Sequence, residues 1–192
     1  AERKRHILII VPSSLRQQWR QELNEKFALP ASLLERSNLD ELTRSGAHEQ
    51  IFICSYEFVN SQHVRLTRAW DLVVCDEAHR LRSYWNGQTK IAANVAKICR
   101  GATKTIMLTA TPLQNRLEEL YGLVSVFAPE YFRSLETFKE RYINNPDGVG
   151  NDDLAARVAQ IAKRTLRKDA NKYIRFTTRM PLTVAFTPSE DE

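Results

Sequence analysis

Asp71-Leu72-Val73-Val74-Cys75-Asp76-Glu77-Ala78-His79 is the stretch on which the reading of this chain turns. Its apolar residues, Leu72 to Cys75, do not alternate with polar ones. They suit a strand buried on both faces, as in a parallel sheet. The run ends on two adjacent carboxylates. In open parallel sheets, ligands bind beyond the carboxyl ends of the strands, and an Asp-Glu pair there suits nucleotide hydrolysis. One carboxylate can hold Mg²⁺, usually through water, while the other orients or deprotonates the attacking water. The same pair would also suit an exposed acidic turn opening a helix, where negative charge is favoured. The HExxH spacing of a zinc protease is absent.

Similar apolar runs lie on either side: Ile7 to Val11, Ile51 to Cys54 and Thr105 to Leu108. None alternates cleanly, and each is short and followed by a loop residue, so each is expected to be a doubly buried strand. Helical patterns fall between them. Leu15, Trp19, Leu23 and Phe27 recur every fourth residue and share one face, with Ser14 and Gln17 spaced as a capping box. Ile91, Val95 and Ile98 form a second stripe. Leu117, Leu120, Tyr121 and Val124 form a third, with Asn115 as the expected cap and Glu118 and Glu119 in the first turn. Strands alternating with helices predict an α/β fold built on a parallel sheet.

Two further strand ends carry polar groups. Leu108-Thr109-Ala110-Thr111-Pro112-Leu113-Gln114-Asn115 places hydroxyls at alternate positions, where they can bond neighbouring loops; a plain Ser/Thr turn closed by proline would read the same. Val11-Pro12-Ser13-Ser14 opens a helix at a strand end, a natural place for phosphate to meet free N–H groups and small hydroxyls, although simple capping also accounts for it.

The pattern changes after Pro129. Tyr131 to Tyr142 and Asp152 to Tyr173 read as helices, split by the turn-rich Asn144-Asn145-Pro146-Asp147-Gly148. The expected organisation is therefore an α/β lobe over 1–128, a helical protrusion over 129–178, and a last strand within 179–192 leading onward. Basic residues gather late, from Lys163 and Arg164 to Arg175, in a chain of net charge +5. A mild positive excess suits a phosphate-rich partner and equally a solvated surface. Cys54, Cys75 and Cys99, odd in number and without a CxxC, argue against a zinc site or disulfide framework; buried free thiols are expected. No run approaches the roughly 18 apolar residues of a membrane span, so no membrane partner is expected. The charged start, Ala1 to Arg5, is neither a signal nor a transit peptide and is expected of a chain taken from within a longer protein.

Taken in order, VPSSLRQQW, ICSYE, DLVVCDEAHRLRS and MLTATPLQNRLEELYGLVSVFAPEYF resemble motifs Ia, Ib, II and III of the first RecA-like lobe of Swi/Snf-type, superfamily-two helicase-like ATPases. The extension LQN…EL…L…F after motif III separates that family from generic DEAD-box and DEAH-box helicases. Arg164 to Asp169 with Arg179 to Leu182 is similar to the RapA-like bacterial branch. The resemblance implies roles for matching positions. Asp76 corresponds to the Mg²⁺-associated acid, Glu77 to the water-activating acid, and His79 to the residue linking nucleotide to motif III. Thr109 and Thr111 correspond to hydroxyls coupling hydrolysis to lobe movement. Pro12, Ser13, Ser14 and Ser55 correspond to positions near the nucleic-acid backbone. Trp19 and Tyr56 are expected to be packing residues.

One departure matters. No GxxxxGK[ST] occurs among the 192 residues, and that loop is what cradles the β- and γ-phosphates. The resemblance implies that it lies upstream of Ala1, that a second RecA-like lobe with an arginine finger follows Glu192, and that ATP and Mg²⁺ both need the upstream loop. The implied activity is that of a DNA-dependent ATPase translocating on double-stranded DNA, in a bacterial or archaeal cytoplasm and inactive as this piece alone. A non-catalytic nucleic-acid-binding or scaffold module on the same fold is the alternative.

Overall fold

A computed structural model describes residues 6–40, 50–87, 89–145 and 150–164. Five strands form one sheet in the order β2-β3-β1-β4-β5. They are β1 (His6–Val11), β2 (Ala31–Leu33), β3 (Gln50–Ser55), β4 (Trp70–Cys75) and β5 (Ala102–Met107). Every pairing is parallel, with β1 between β3 and β4: Ile10 lies opposite both Cys54 and Cys75. The expected α/β architecture is present, with connecting helices α1 (Arg16–Phe27), α2 (Tyr56–Leu66), α3 (Lys90–Gly101) and α4 (Leu117–Phe127).

The unbroken apolar runs follow from helices on both sheet faces. Successive side chains of a strand point to opposite faces. Ile9, Val11 and Ile53 therefore pack on one side with Leu15, Trp19 and Leu23 of the α1 region. Leu8, Ile10, Phe52, Cys54, Val73 and Cys75 pack on the other, with Val59 of α2, Val95 and Ile98 of α3, and Leu123 and Val126 of α4. All three cysteines are free and buried. Burial pushes the Cys54 thiol up to about 12, against a smaller opposing pull from Arg16, so it stays protonated.

Four local expectations need correction. Thr105 to Leu108 does not form a doubly buried strand: β5 is an edge strand, with Ile106 45% and Leu108 38% exposed. Its partner Val74 meets the α1-side cluster, but α1 packs over β2 and β3, so that face thins out toward β5. Phe27 ends the α1 stripe 65% exposed, because the next residue, Ala28, adopts a left-handed conformation (φ 52°) that turns the chain away. The Ser14–Gln17 capping box does not form. Residues Ser13–Leu15 make a 3-10 turn first, and neither it nor α1 has a side-chain cap. Asn115 does not cap α4; Arg116 occupies that position. Instead Glu119 reaches back, its Oε2 accepting the Gln114 and Asn115 amides at 2.8 and 3.4 Å.

Contacts group Ala1–Gly148 into one compact unit. Within it α5 (Leu135–Tyr142) packs on α4: its fully buried Phe138 lies against Tyr121 at 5.3 Å and Phe132 at 5.0 Å. The second unit, Val149–Glu192, is described through α6 (Asn151–Ile161). That helix carries Asp152 and Asp153 in its first turn, where the helix dipole favours them, and ends where Ala162 becomes extended. The expected helix of 152–173 is thus shorter within the described residues. The rest of it, the late basic cluster beyond Arg164 and the strand expected within 179–192 lie outside them.

Candidate active site

Because the strands are parallel, β1, β3, β4 and β5 deliver their following loops to one edge of the sheet. Those loops carry Pro12–Ser14, Ser55–Glu57, Asp76–His79 and Thr109–Thr111. Backbone bonds tie them together. The Asp76 amide donates to the Ile10 carbonyl at 2.8 Å, Leu108 N–H to Cys75 at 2.8 Å, and Ala78 N–H to Leu108 at 2.9 Å. The acidic loop is thereby held directly against the loop bearing Thr109 and Thr111. The Thr109 hydroxyl accepts the Thr111 amide at 3.2 Å, which shapes that loop internally.

Asp76 is held from three directions. Oδ2 accepts the Trp19 indole N–H at 2.8 Å, Oδ1 accepts the Glu77 amide at 2.9 Å, and the Asp76 carbonyl accepts the Tyr56 hydroxyl at 2.7 Å. Trp19 and Tyr56 are expected packing residues whose polar tips have found partners. The general signal was there in the sequence, since buried Trp N–H and Tyr O–H groups need acceptors. Burial raises the Tyr56 phenol far above its usual value, so it remains a neutral donor.

Glu77 adopts φ 50°, ψ 44°, a left-handed conformation that costs a non-glycine residue on the order of 1–3 kcal/mol and concentrates at functional sites. A chain leaving β4 and entering the 3-10 segment Ala78–Asn86 must turn here, and the turn falls on an acid rather than on glycine. Glu77 Oε2 lies 3.1 Å from His79 Nδ1, with both side chains partly open to solvent. That nitrogen is buried and has no hydrogen-bond partner, so the two groups are neighbours without an aligned hydrogen bond between them. Three residues on from His79, Arg82 bonds the side chain of Gln114 and lies 3.9 Å from Glu119, joining the segment after Asp76-Glu77 to the start of α4.

The four residues expected near nucleic acid fall into different surroundings. Pro12 precedes the 3-10 turn and its carbonyl accepts Leu15 N–H at 2.9 Å. Ser14 is exposed. Ser13 Oγ donates to Glu57 Oε2 at 2.8 Å, and Arg80 donates to Glu57 Oε1 at 2.8 Å. Ser55 is 6% exposed and caps α2, its Oγ accepting Phe58 N–H at 3.1 Å. Glu57 and Arg80, not singled out in the sequence, thus link three of the four loops, and the Arg80 guanidinium also sits 5.1 Å over the Tyr56 ring.

Burial pushes the Glu57 carboxyl up, but the Ser13 hydroxyl, its own backbone and Arg80 outweigh that and bring it to about 2. The folded value is depressed, so the stabilisation is present above the unfolded value near 4.5 and is lost as pH falls toward 2. Glu57→Gln should therefore lower stability slightly at pH 7, within the small range of solvent-screened pairs. Urea titrations should show that difference shrinking between pH 4.5 and 2; a difference that grows on acidification would contradict the assignment.

Among the described residues no cluster of three or more His, Cys, Asp or Glu is placed to hold a metal. Asp76 and Glu77 offer hard oxygen donors, too few for a protein cage. That fits magnesium, which binds through one or two carboxylates while waters and phosphates complete its shell. No helix among the described residues is long and apolar enough to cross a membrane.

The family described as the SNF2-related domain matches residues 1–185. The chain belongs to that family. This SNF2-related domain is 34% identical over 96% of its length to an uncharacterized ATP-dependent helicase, YqhH, of Bacillus subtilis (strain 168). It is 31% identical over 72% of its length to the RNA polymerase-associated protein RapA of Yersinia pseudotuberculosis. It spans 32% of the first and 15% of the second. Among solved structures, the SWI2/SNF2 ATPase core of Sulfolobus solfataricus in complex with dsDNA superposes with a TM-score of 0.67 over 81% of this chain and 32% of that one, at 24% identity. A second structure, the Sulfolobus solfataricus SWI2/SNF2 ATPase core domain, gives 0.65 over 88% of this chain and 35% of that one, at 22% identity. That likeness establishes the SNF2-related domain's fold as the RecA-like lobe of these ATPases.

Proposed function

We propose that this SNF2-related domain is the first ATP-hydrolysing lobe of a longer motor that translocates on double-stranded DNA. The observation that carries the reading is the acid pair at the end of β4: Asp76 fixed from three sides and Glu77 held in a strained left-handed conformation beside His79. In this reading Asp76 would hold magnesium, which when bound would neutralise charge on the transferring phosphate. Glu77 orients and deprotonates the attacking water. His79 relays the state of that carboxylate toward the Thr109–Thr111 loop, to which Ala78 and Leu108 already bind it. The phosphate loop and a second RecA-like lobe come from other parts of the longer protein.

Pro12, Ser13, Ser14 and the α2 cap at Ser55 present the nucleic-acid side. Support comes from their place at the strand ends and from a structural neighbour described in complex with dsDNA. In this reading the longer protein works in a prokaryotic cytoplasm. Contacts of this kind go to phosphates, so binding should be nearly independent of sequence and should weaken steeply with salt, at about 0.9 in log–log slope per phosphate neutralised. Titrating labelled duplexes of unrelated sequence at several salt concentrations checks this. Salt-insensitive or strongly sequence-selective binding would favour a dedicated, non-catalytic binding module on the same fold.

A further inference from the structure

Trp19 sits on α1, within the helix that follows the Pro12–Leu15 loop. Its ring packs with Ile9, Val11 and Ile53 on the sheet face, and its only polar atom reaches across 57 positions of sequence to Asp76 Oδ2 at 2.8 Å. We propose that Trp19 is a positioning residue for Asp76: the indole N–H fixes the carboxylate for magnesium–nucleotide binding and ties it to the helix that begins at the candidate nucleic-acid loop. The proposal rests on the nucleotide-site reading of Asp76.

The chemistry supports a positioning part over packing alone. An ionised carboxylate has about four lone-pair sites. Trp19 and the Glu77 amide take one on each oxygen, which leaves one on each with which Asp76 would hold the metal. The Glu77 amide belongs to the adjacent residue and moves with Asp76. The indole, by contrast, is anchored in a separate helix and a separate apolar cluster, so it supplies an external reference for the carboxylate's orientation. At 2.8 Å the bond has the usual length of a charge-assisted N–H···O contact, a class stronger than neutral pairs. Any displacement of the leading loop of α1 that carries the helix along must shift this bond, giving a one-bond path from the nucleic-acid edge to the acid.

Trp19→Phe keeps an aromatic ring in the apolar cluster while removing the donor and part of the indole's bulk, and the arms without magnesium and without the carboxylate separate the two losses. In the full-length protein, ATP dissociation constants are measured with magnesium and with excess EDTA for the parent, Trp19→Phe, Asp76→Asn and the double variant. Trp19→Phe is expected to weaken magnesium–ATP binding roughly ten-fold or more, since removing a donor behind a metal ligand typically costs about 10–100-fold. It should leave binding in EDTA unchanged and add nothing on the Asp76→Asn background. An equal loss in EDTA, or the same loss on the Asp76→Asn background, overturns the proposal, because a packing defect acts whatever the carboxylate does. Magnesium-dependent parental binding that Trp19→Phe leaves intact overturns the role of Trp19 alone. Parental binding indifferent to magnesium overturns the reading of Asp76, and the proposal with it.

Discussion

Replacing Glu77 by glutamine in the full-length protein is expected to leave nucleotide binding in place and to slow ATP turnover by about 10²–10⁴-fold, the usual cost of losing a general base. The amide matches the carboxylate in size, and both side chains branch at the same atom. The left-handed backbone at this position is therefore as strained in the variant as in the parent. The bonds that fix Asp76 come from Trp19, Tyr56 and the Glu77 amide, none of which the substitution removes. What goes is the capacity to take a proton from water, together with the carboxylate that lies beside His79. Nucleotide affinity and duplex-stimulated turnover, measured side by side, separate these effects. Parental turnover in the variant would remove Glu77 from the reaction. A parent with no turnover at all, despite an intact phosphate loop, would turn the reading toward the binding module.

The parts of the fold written in two-sided apolar runs were legible in the sequence. Ile7 to Val11 reads as a buried central strand because Leu8 and Ile10 meet one helical layer and Ile9 and Val11 the other. The same rule misleads at Thr105 to Leu108, since an apolar residue at a sheet edge is spelled like one in the middle and only its neighbours decide whether Ile106 is covered. Strand β2, three residues long with a serine at its centre, carries no periodicity to read. Caps failed for another reason. Ser14 and Asn115 have the right chemistry, but the cap falls where the chain actually turns, and the 3-10 turn at Ser13–Leu15 and the reach of Glu119 move it.

At the site, the motif residues were legible and their supports were not. Asp76-Glu77 stands out as two carboxylates after a buried run. Nothing in the spacing says that a tryptophan 57 positions earlier donates to the first of them, or that Glu57 and Arg80 bridge the loops bearing Ser13 and Ser55. Such pairings depend on the strand order, in which β1 lies between β3 and β4. A sequence with the elements correctly marked still leaves that order open. Once it is known, the loops after β1, β3 and β4 become neighbours, and their polar side chains are drawn into one network.

Gly122→Ala is expected to destabilise the domain by about 1–3 kcal/mol, the range typical of overpacking, and Gly122→Val by at least as much. Glycine in the middle of a helix normally costs about 1 kcal/mol relative to alanine, so on propensity alone the substitution should stabilise α4. The packing reverses that sign. A Cβ at Gly122 would lie 2.3 Å from the Arg82 carbonyl oxygen, 3.0 Å from Trp85 N and 3.1 Å from Trp85 Cδ1. Two of those atoms are backbone of the 3-10 segment Ala78–Asn86 and cannot swing away as a side-chain tip can. Either α4 lifts off the segment or the segment moves, and it is the continuation of Asp76-Glu77. Arg82, whose carbonyl takes the closest contact, also bonds Gln114 and approaches Glu119 across the same interface, so the displacement is transmitted to both strand-end loops. This gives the LQN…EL…L…F extension a physical reason: it supplies a helix whose glycine allows it to sit directly against the segment following the acid pair. Urea unfolding of the parent and both variants measures the stability change, and turnover of the folded fraction measures the effect on the site. A Gly122→Ala protein as stable as the parent or more so would show that the segment yields freely, and that the close approach of α4 does not hold the acid loop in place.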